Sequence, residues 1–209
     1  MKITSVLSEI QIAHYVSVVA LAALSSGCSS LPISHSTIST KQVYAPDPSK
    51  ALVIFLRPDF VGGAYDSALF DIKPTENHLI GIINYHEAAA YQADAGDHVF
   101  MAYRNAAFVM PAHLEAGKTY YVQVISITDS HNFTLFPYGS CRAEDQHYRE
   151  EGPAVMREST FMDVTPRAAQ WAQSHSKEIT AALLKGAAIW TELTEDAKAA
   201  GTLEACNGI

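Results

Sequence analysis

Thr119-Tyr120-Tyr121-Val122-Gln123-Val124-Ile125-Ser126-Ile127 is the segment from which the fold is read. β-Branched and aromatic residues fill it, and neither Pro nor Gly interrupts it, so it predicts a strand. The stretch before it, Leu114-Glu115-Ala116-Gly117-Lys118, is a turn in which Gly117 is expected at positive φ. Tyr120 and Tyr121 project to opposite faces, so a sheet with one buried face places at most one of them in the core.

The same rhythm repeats upstream. Ala51-Leu52-Val53-Ile54-Phe55-Leu56 is a continuous apolar run stopped by Arg57-Pro58, as in a buried strand. Gly62-Gly63 marks a turn, Ala68 to Lys73 precedes Pro74, and His78 to Asn84 carries the β-branched Ile80, Ile82 and Ile83. Tyr85 to Ala93 is alanine-rich and alternates less cleanly. Asp94-Ala95-Gly96-Asp97 turns into a strand from His98 to Tyr103, with Gly96 also expected at positive φ. Downstream, Phe133 to Phe136 closes at Pro137 and Gly139, Ser140 to Gly152 is a polar loop, and Thr160 to Val164 reads as a last edge strand. This spacing predicts a mainly β fold, an antiparallel β-sandwich of six to eight short strands over residues 51–164.

The mode then changes. Thr165 is a good N-cap and Pro166 suits the first helical position. A helix is expected over residues 165–200, packed on the domain through Trp171, Ile179, Leu183, Gly186, Trp190 and Leu193, with Gly186 as a bend. Gly201 stops it, and residues 201–209 are a tail.

At the other end, Tyr15 to Leu24 is an apolar run of about ten residues, the length of a signal h-region and about half a membrane span. Leu24-Ser25-Ser26-Gly27-Cys28-Ser29 follows, the form of a bacterial lipoprotein signal in which Cys28 becomes the lipidated first residue. The leucine usual three places before the cysteine stands one earlier, at Leu24, and Lys2 is the one fixed positive charge of the n-region. An ordinary secretory signal and an uncleaved anchor are the alternatives. Residues 1–27 are thus read as a signal peptide, and the Ser-, Thr- and Pro-rich residues 28–50 as a flexible tether about 25 Å long. Ser29 is not the aspartate that retains lipoproteins at the inner membrane. This implies a lipid anchor in the outer membrane facing the periplasm, if the source is Gram-negative.

The net charge of −8 survives removal of residues 1–27, because Lys2 and Glu9 cancel. An acidic body disfavours nucleic acid and anionic surfaces as partners. With Cys28 lipidated, Cys141 and Cys206 remain, either as a disulfide or as two buried thiols. A bridge would close a loop of 65 residues, worth about 4 kcal/mol in the chain-entropy account.

Ile54-Phe55-Leu56-Arg57-Pro58, Leu79-Ile80-Gly81, Ala95-Gly96-Asp97-His98 and Ala116-Gly117-Lys118-Thr119-Tyr120-Tyr121 fall in this order. They resemble the DUF2846 family of bacterial lipoproteins over about residues 50–140, and the turn before His98 also looks like that of PEGA-type sandwich repeats. The resemblance implies a compact sandwich on a lipid anchor and carries no activity. Arg57, at its strand end, is expected to pair a carboxylate such as Asp59 or Asp71.

Chemistry leaves little trace. His35, His78, His86, His98, His113, His131, His147 and His175 show no ligand spacing, so neither metal nor cofactor is assigned, although His78, His86 and His98 could converge across strands. No nucleophile elbow or phosphate loop occurs, and no catalytic residue is assigned. Asp94 with Asp97 and Glu150 with Glu151 read as solvated. The expectation is a non-enzymatic, membrane-anchored envelope lipoprotein, held to membrane lipid through Cys28, whose sandwich and helix bind an envelope protein or glycan. A small-ligand or glycan module is the alternative, with Tyr85, Tyr91, Tyr103 and Tyr120 as a stacking row. An envelope hydrolase built from converging His and Asp residues is the third reading.

Overall fold

The structure is a computed structural model that describes residues 36–42, 44–59, 65–127, 132–139, 141 and 150–209. Cys28, the signal segment, Gly62-Gly63, His35, His131 and His147 lie outside the described residues.

Two sheets face each other. The larger holds six strands in the order β1 (Ser36–Ile38), β10 (Thr160–Val164), β5 (Glu87–Asp94), β2 (Lys50–Leu56), β8 (Thr119–Ile127) and β9 (Asn132–Pro137). The smaller holds β4 (Asn77–Ile83), β3 (Ser67–Ile72), β6 (Gly96–Tyr103) and β7 (Ala107–Leu114). A mainly β sandwich followed by a helical segment is therefore the fold. Two pairings depart from an all-antiparallel arrangement: β2 runs parallel to β8, with Val53 opposite Tyr120, and β10 parallel to β5. Gly96 and Gly117 take positive φ, +122° and +78°, as their turns require.

Val53 and Phe55 of β2 pack between the sheets with Leu69, Phe100, Met110 and Phe133. Leu52, Ile54 and Leu56 emerge on the other face and are buried as well, against Tyr121, Tyr138 and Phe161. The cover on that side is a helix absent from the sequence reading, α1 (Glu151–Glu158), together with Tyr44. A Cβ on Gly152 would stand 2.6 Å from Tyr121 Cβ, so the glycine lets α1 lie directly on the sheet. Both tyrosines are consequently buried, Tyr120 inside the sandwich and Tyr121 beneath α1. The expectation of one core tyrosine fails because this sheet is covered on both faces.

The stretch read as a tether over residues 28–50 is in part sheet. Ser36–Ile38 pair with β10, and Gln42 clamps Phe161 by donating to its carbonyl (3.3 Å) and accepting from its N–H (3.0 Å). Thr160–Val164 is accordingly an inner strand rather than an edge. β7 also escaped the sequence reading: Pro111 sits inside it and is tolerated because β7 is a sheet edge.

The C-terminal helical segment is three helices instead of one: α2 (Pro166–Ser174), α3 (Ser176–Glu192) and α4 (Glu195–Ala200). Thr165 caps α2 by accepting from Ala168 N–H at 3.2 Å. The first break is at His175, where Ser174 Oγ, His175 Nδ1 and His175 N–H all converge on the Trp171 carbonyl, the local competition that interrupts helices. The second falls at Leu193-Thr194, where Thr194 caps α4 ahead of Glu195 and Asp196. Gly186, expected as a bend, lies within unbroken α3; a Cβ there would stand 2.4 Å from the Ala107 carbonyl oxygen. Trp171, Ile179, Leu183 and Trp190 then fill the layer above Phe70, Met101 and Tyr103.

Residues 201–209 dock as a seam between the sheets. Leu203 is fully buried and bonds Pro111 and His113 of β7, while Ile209 exchanges backbone bonds with Thr119 of β8. Cys141 and Cys206 lie at disulfide distance, with Cα atoms 5.5 Å apart. Asn207 Nδ2 donates to the Gly139 carbonyl, and its Oδ1 accepts from Glu204 N–H.

Gly186→Ala tests the seat of α3. In an exposed helix the change stabilises by about 1 kcal/mol; here overpacking against Ala107 costs about 1–3 kcal/mol. A lowered urea midpoint is expected, and a raised one would refute the close approach.

Candidate functional site

Polar groups close the inter-sheet core at both ends. At one end Asp71 is 1% exposed. Tyr91 Oη donates to its Oδ2 at 2.8 Å, His98 Nδ1 lies 3.1 Å from both oxygens, and Lys73 Nζ is 3.9 Å away. His98 Nε2 is 2.9 Å from the Asp94 carbonyl. A carbonyl only accepts, so Nε2 carries a hydrogen, and the carboxylate draws another onto Nδ1. Burial lowers the His98 pKa, but the hydrogen bond and charge of Asp71 outweigh it, and the net shift is upward. The Tyr91 phenol is pushed up by burial and by the Asp71 carboxylate it donates to. With both nitrogens engaged, His98 has no lone pair to offer a substrate, and this cluster holds charge in place.

At the other end Arg57 is 1% exposed. Its Nη1 donates to the Tyr65 carbonyl, to the Ile83 carbonyl (3.4 Å) and to Asn84 Oδ1 (3.3 Å), and its plane lies 4.3 Å from the Phe133 ring centre. Burial pulls its pKa down to about 10, against the nearby charges of Asp66 and Glu87, so it stays protonated at neutral pH. Its charge neighbours are chiefly Asp66 and Glu87, with Asp59 the weakest of the three; of the two carboxylates expected as partners, Asp71 belongs to the opposite end. Burial raises the Glu87 pKa, opposed by its acceptance of Asn84 N–H at 2.7 Å. His86 sits in the turn at this end with φ +58° and its ring 4.0 Å from Tyr85.

The anticipated convergence of His78, His86 and His98 does not occur. His78 stacks on Tyr91 near Asp71, His98 joins Asp71, and His86 lies at the far end of β5. Among the described residues no three His, Cys, Asp or Glu side chains group as a metal site. Asp94 pairs Lys50 (3.1 Å) and Asp97 pairs His113 (2.5 Å) at the surface; Glu150 and Glu151 are exposed. The four tyrosines form no exposed row, since Tyr103 and Tyr120 are buried and Tyr91 is half-buried with its hydroxyl on Asp71.

Two concavities formed by the described residues lie against the helices that follow the sandwich. An open cleft of about 1030 Å³ lies between β4 and α2, with Gln170, Gln173, Asn77 and His78 on its walls and Phe70 and Ile179 below. Asn77 Nδ2 bridges it to Thr180 Oγ1 at 3.2 Å. The second is an apolar groove of about 290 Å³ where β9 and β7, the edges of the two sheets, meet α3 and α4. Phe108, Val109 and Leu135 form its floor, and Trp190 lies beside them. Among the described residues, Thr134 and the Trp190 indole supply its only polar side-chain atoms, and no titratable group lines it. Phe136, Ile189 and Leu193 border it at 39%, 51% and 37% exposure, half of the large apolar side chains exposed among the described residues. Such clustering marks a surface that meets something else, and it makes the groove the stronger candidate. No sequence signal singled it out, because Ile189 and Phe136 belong to different elements and look like ordinary helix and strand residues.

No family model, curated protein or solved structure matches the chain.

The charge state of His98 gives a pH test. Its folded pKa is raised, so its stabilising contribution is fully present below the unfolded value of about 6.5 and is lost as pH rises through the folded pKa. Urea unfolding across this range should show a fall in stability upward from about pH 6.5, flattened in His98→Gln. An unchanged slope in the variant would contradict the assignment.

Proposed function

We propose that the protein is a membrane-anchored envelope lipoprotein, acylated on Cys28, whose non-enzymatic role is to bind another envelope protein through the groove between β9 and α3. The observation that carries the binding role is the groove itself, bordered by exposed Phe136, Ile189 and Leu193 and, among the described residues, lined by no titratable side chain. A partner that inserts apolar side chains there removes surface worth about 25 cal/mol per Å² from water. The anchor rests on the apolar run ending in Gly27-Cys28, and the outer membrane is the membrane proposed from Ser29. The likeness of residues 50–140 to the DUF2846 family belongs to this proposal and rests on the motifs that carry it.

The alternative, a small-ligand module, draws support from the groove volume, which lies near the lower bound of small-molecule pockets, about 300 Å³. The aromatic stacking row that would favour a glycan is not formed, because those rings pack inward.

A photo-crosslinking residue placed at Ile189 in membranes separates the two. A discrete protein adduct that disappears with Phe136→Asp is the expected result. A lipid or low-mass adduct would favour the small-ligand reading, and a residue at Ile189 that crosslinks to nothing would overturn the groove as the binding surface.

A further inference from the structure

β1, the described strand nearest Cys28 in sequence, and the groove lie at opposite edges of one sheet. β1 is the first strand of the six-stranded sheet and β9 the last, so five strand spacings of about 4.8 Å, roughly 24 Å in all, separate them. Ser36 already pairs with Val164, and only residues 29–35 separate it from Cys28. These eight Cα steps span no more than roughly 29 Å at full extension and about 14–17 Å as a flexible coil. A lipid on Cys28 therefore holds the β1 edge close to the bilayer, where a 20-residue tether would have let the domain tumble clear.

Side chains at the two edges differ in the same sense. Around β1, β10 and the start of α2, Ile38 is 67% exposed, and the exposed charges are Lys41 and Arg167 against Asp163. Val164 lies opposite Ser36 and only two residues before Pro166, the first residue of α2, so these elements form one corner. Beside the groove the exposed charges of α3 and α4 are Glu192, Glu195 and Asp196 against Lys185, with Lys198 half-buried, a balance that stays acidic. An anionic leaflet attracts the first set and repels the second, within about a Debye length.

We propose that the corner made by β1, β10 and the start of α2 is the membrane-facing surface. Ile38 enters the headgroup region, Lys41 and Arg167 meet lipid phosphates, and the groove is turned toward the aqueous space. The inference rests on acylation of Cys28, and it deepens that reading by assigning an orientation.

The test uses the full-length, processed protein in vesicles of phosphatidylethanolamine with a minor fraction of phosphatidylglycerol. Hydrogen exchange relative to detergent-solubilised protein should slow in β1 and the first turn of α2, and stay unchanged in β9 and α4. Lys41→Glu combined with Arg167→Glu should abolish that slowing while leaving acylation intact. The native tryptophans give a second reading, because Trp171 lies in α2 and Trp190 at the groove. Energy transfer to a dansyl-labelled lipid headgroup should quench Trp171 in Trp190→Phe more than Trp190 in Trp171→Phe. Slowing at β9 and α4, no slowing at all, or equal quenching would overturn the orientation in an acylated protein. Absence of the acyl mass on Cys28 would overturn the anchor, and the orientation with it.

Discussion

Burial of β2 on both faces is the constraint on which the rest of the structure depends. Its six residues Ala51 to Leu56 are each at most 1% exposed, so apolar side chains leave the strand in both directions and each direction needs a lid. One lid is the four-stranded sheet. The other is α1 with Tyr44 and Phe161. The four-stranded sheet meets the same demand, since Phe70 and Met101 face away from the sandwich and require α2 and α3. The result is a layered stack of helices, two sheets and a final helix, in which β2 is covered on both faces.

Close approach between layers is set by residues without bulk. Gly152 admits α1 onto Tyr121, Gly81 faces Ala89 across the sheets, and Gly186 admits α3 onto Ala107. A helix seated that low on β7 leaves its far end, Ile189 to Leu193, beside the edge of β9, and the groove is the space left where helix and sheet diverge. The inter-sheet core meanwhile ends in opposite charges, Arg57 at one end and Asp71 at the other. Each is held by several hydrogen bonds, without which a buried charge would be strongly destabilising. Sliding one sheet past the other would strip those bonds, so the ends resist a change of register.

Much of this was legible in the chain. Thr119–Ile127, Ala51–Leu56 and the glycine turns at Gly96 and Gly117 announce their strands and hairpins through composition alone, and Thr165-Pro166 announces α2. The paired positions of Cys141 and Cys206 follow from arithmetic once Cys28 is set aside. What could not be read depends on partners distant in sequence. β1 is three polar and β-branched residues that become a strand only beside β10, with Thr37 and its partner Asp163 126 residues apart in sequence. β7 carries Pro111, which argues against a strand until its place at a sheet edge is known. α1 has no side-chain cap to declare it, and the groove borrows from five elements, none unusual by itself.

The outer helices are part of one cooperative fold, because β2 and the four-stranded sheet need them as cover. Native-state hydrogen exchange in low denaturant tests this most directly. Amides of Val53 to Phe55 in β2 and of Leu183 to Ala187 in α3 should open with the same free energy and the same denaturant dependence, as a single global unfolding. Exchange in α3 through a separate, low-energy opening that leaves β2 protected would contradict it.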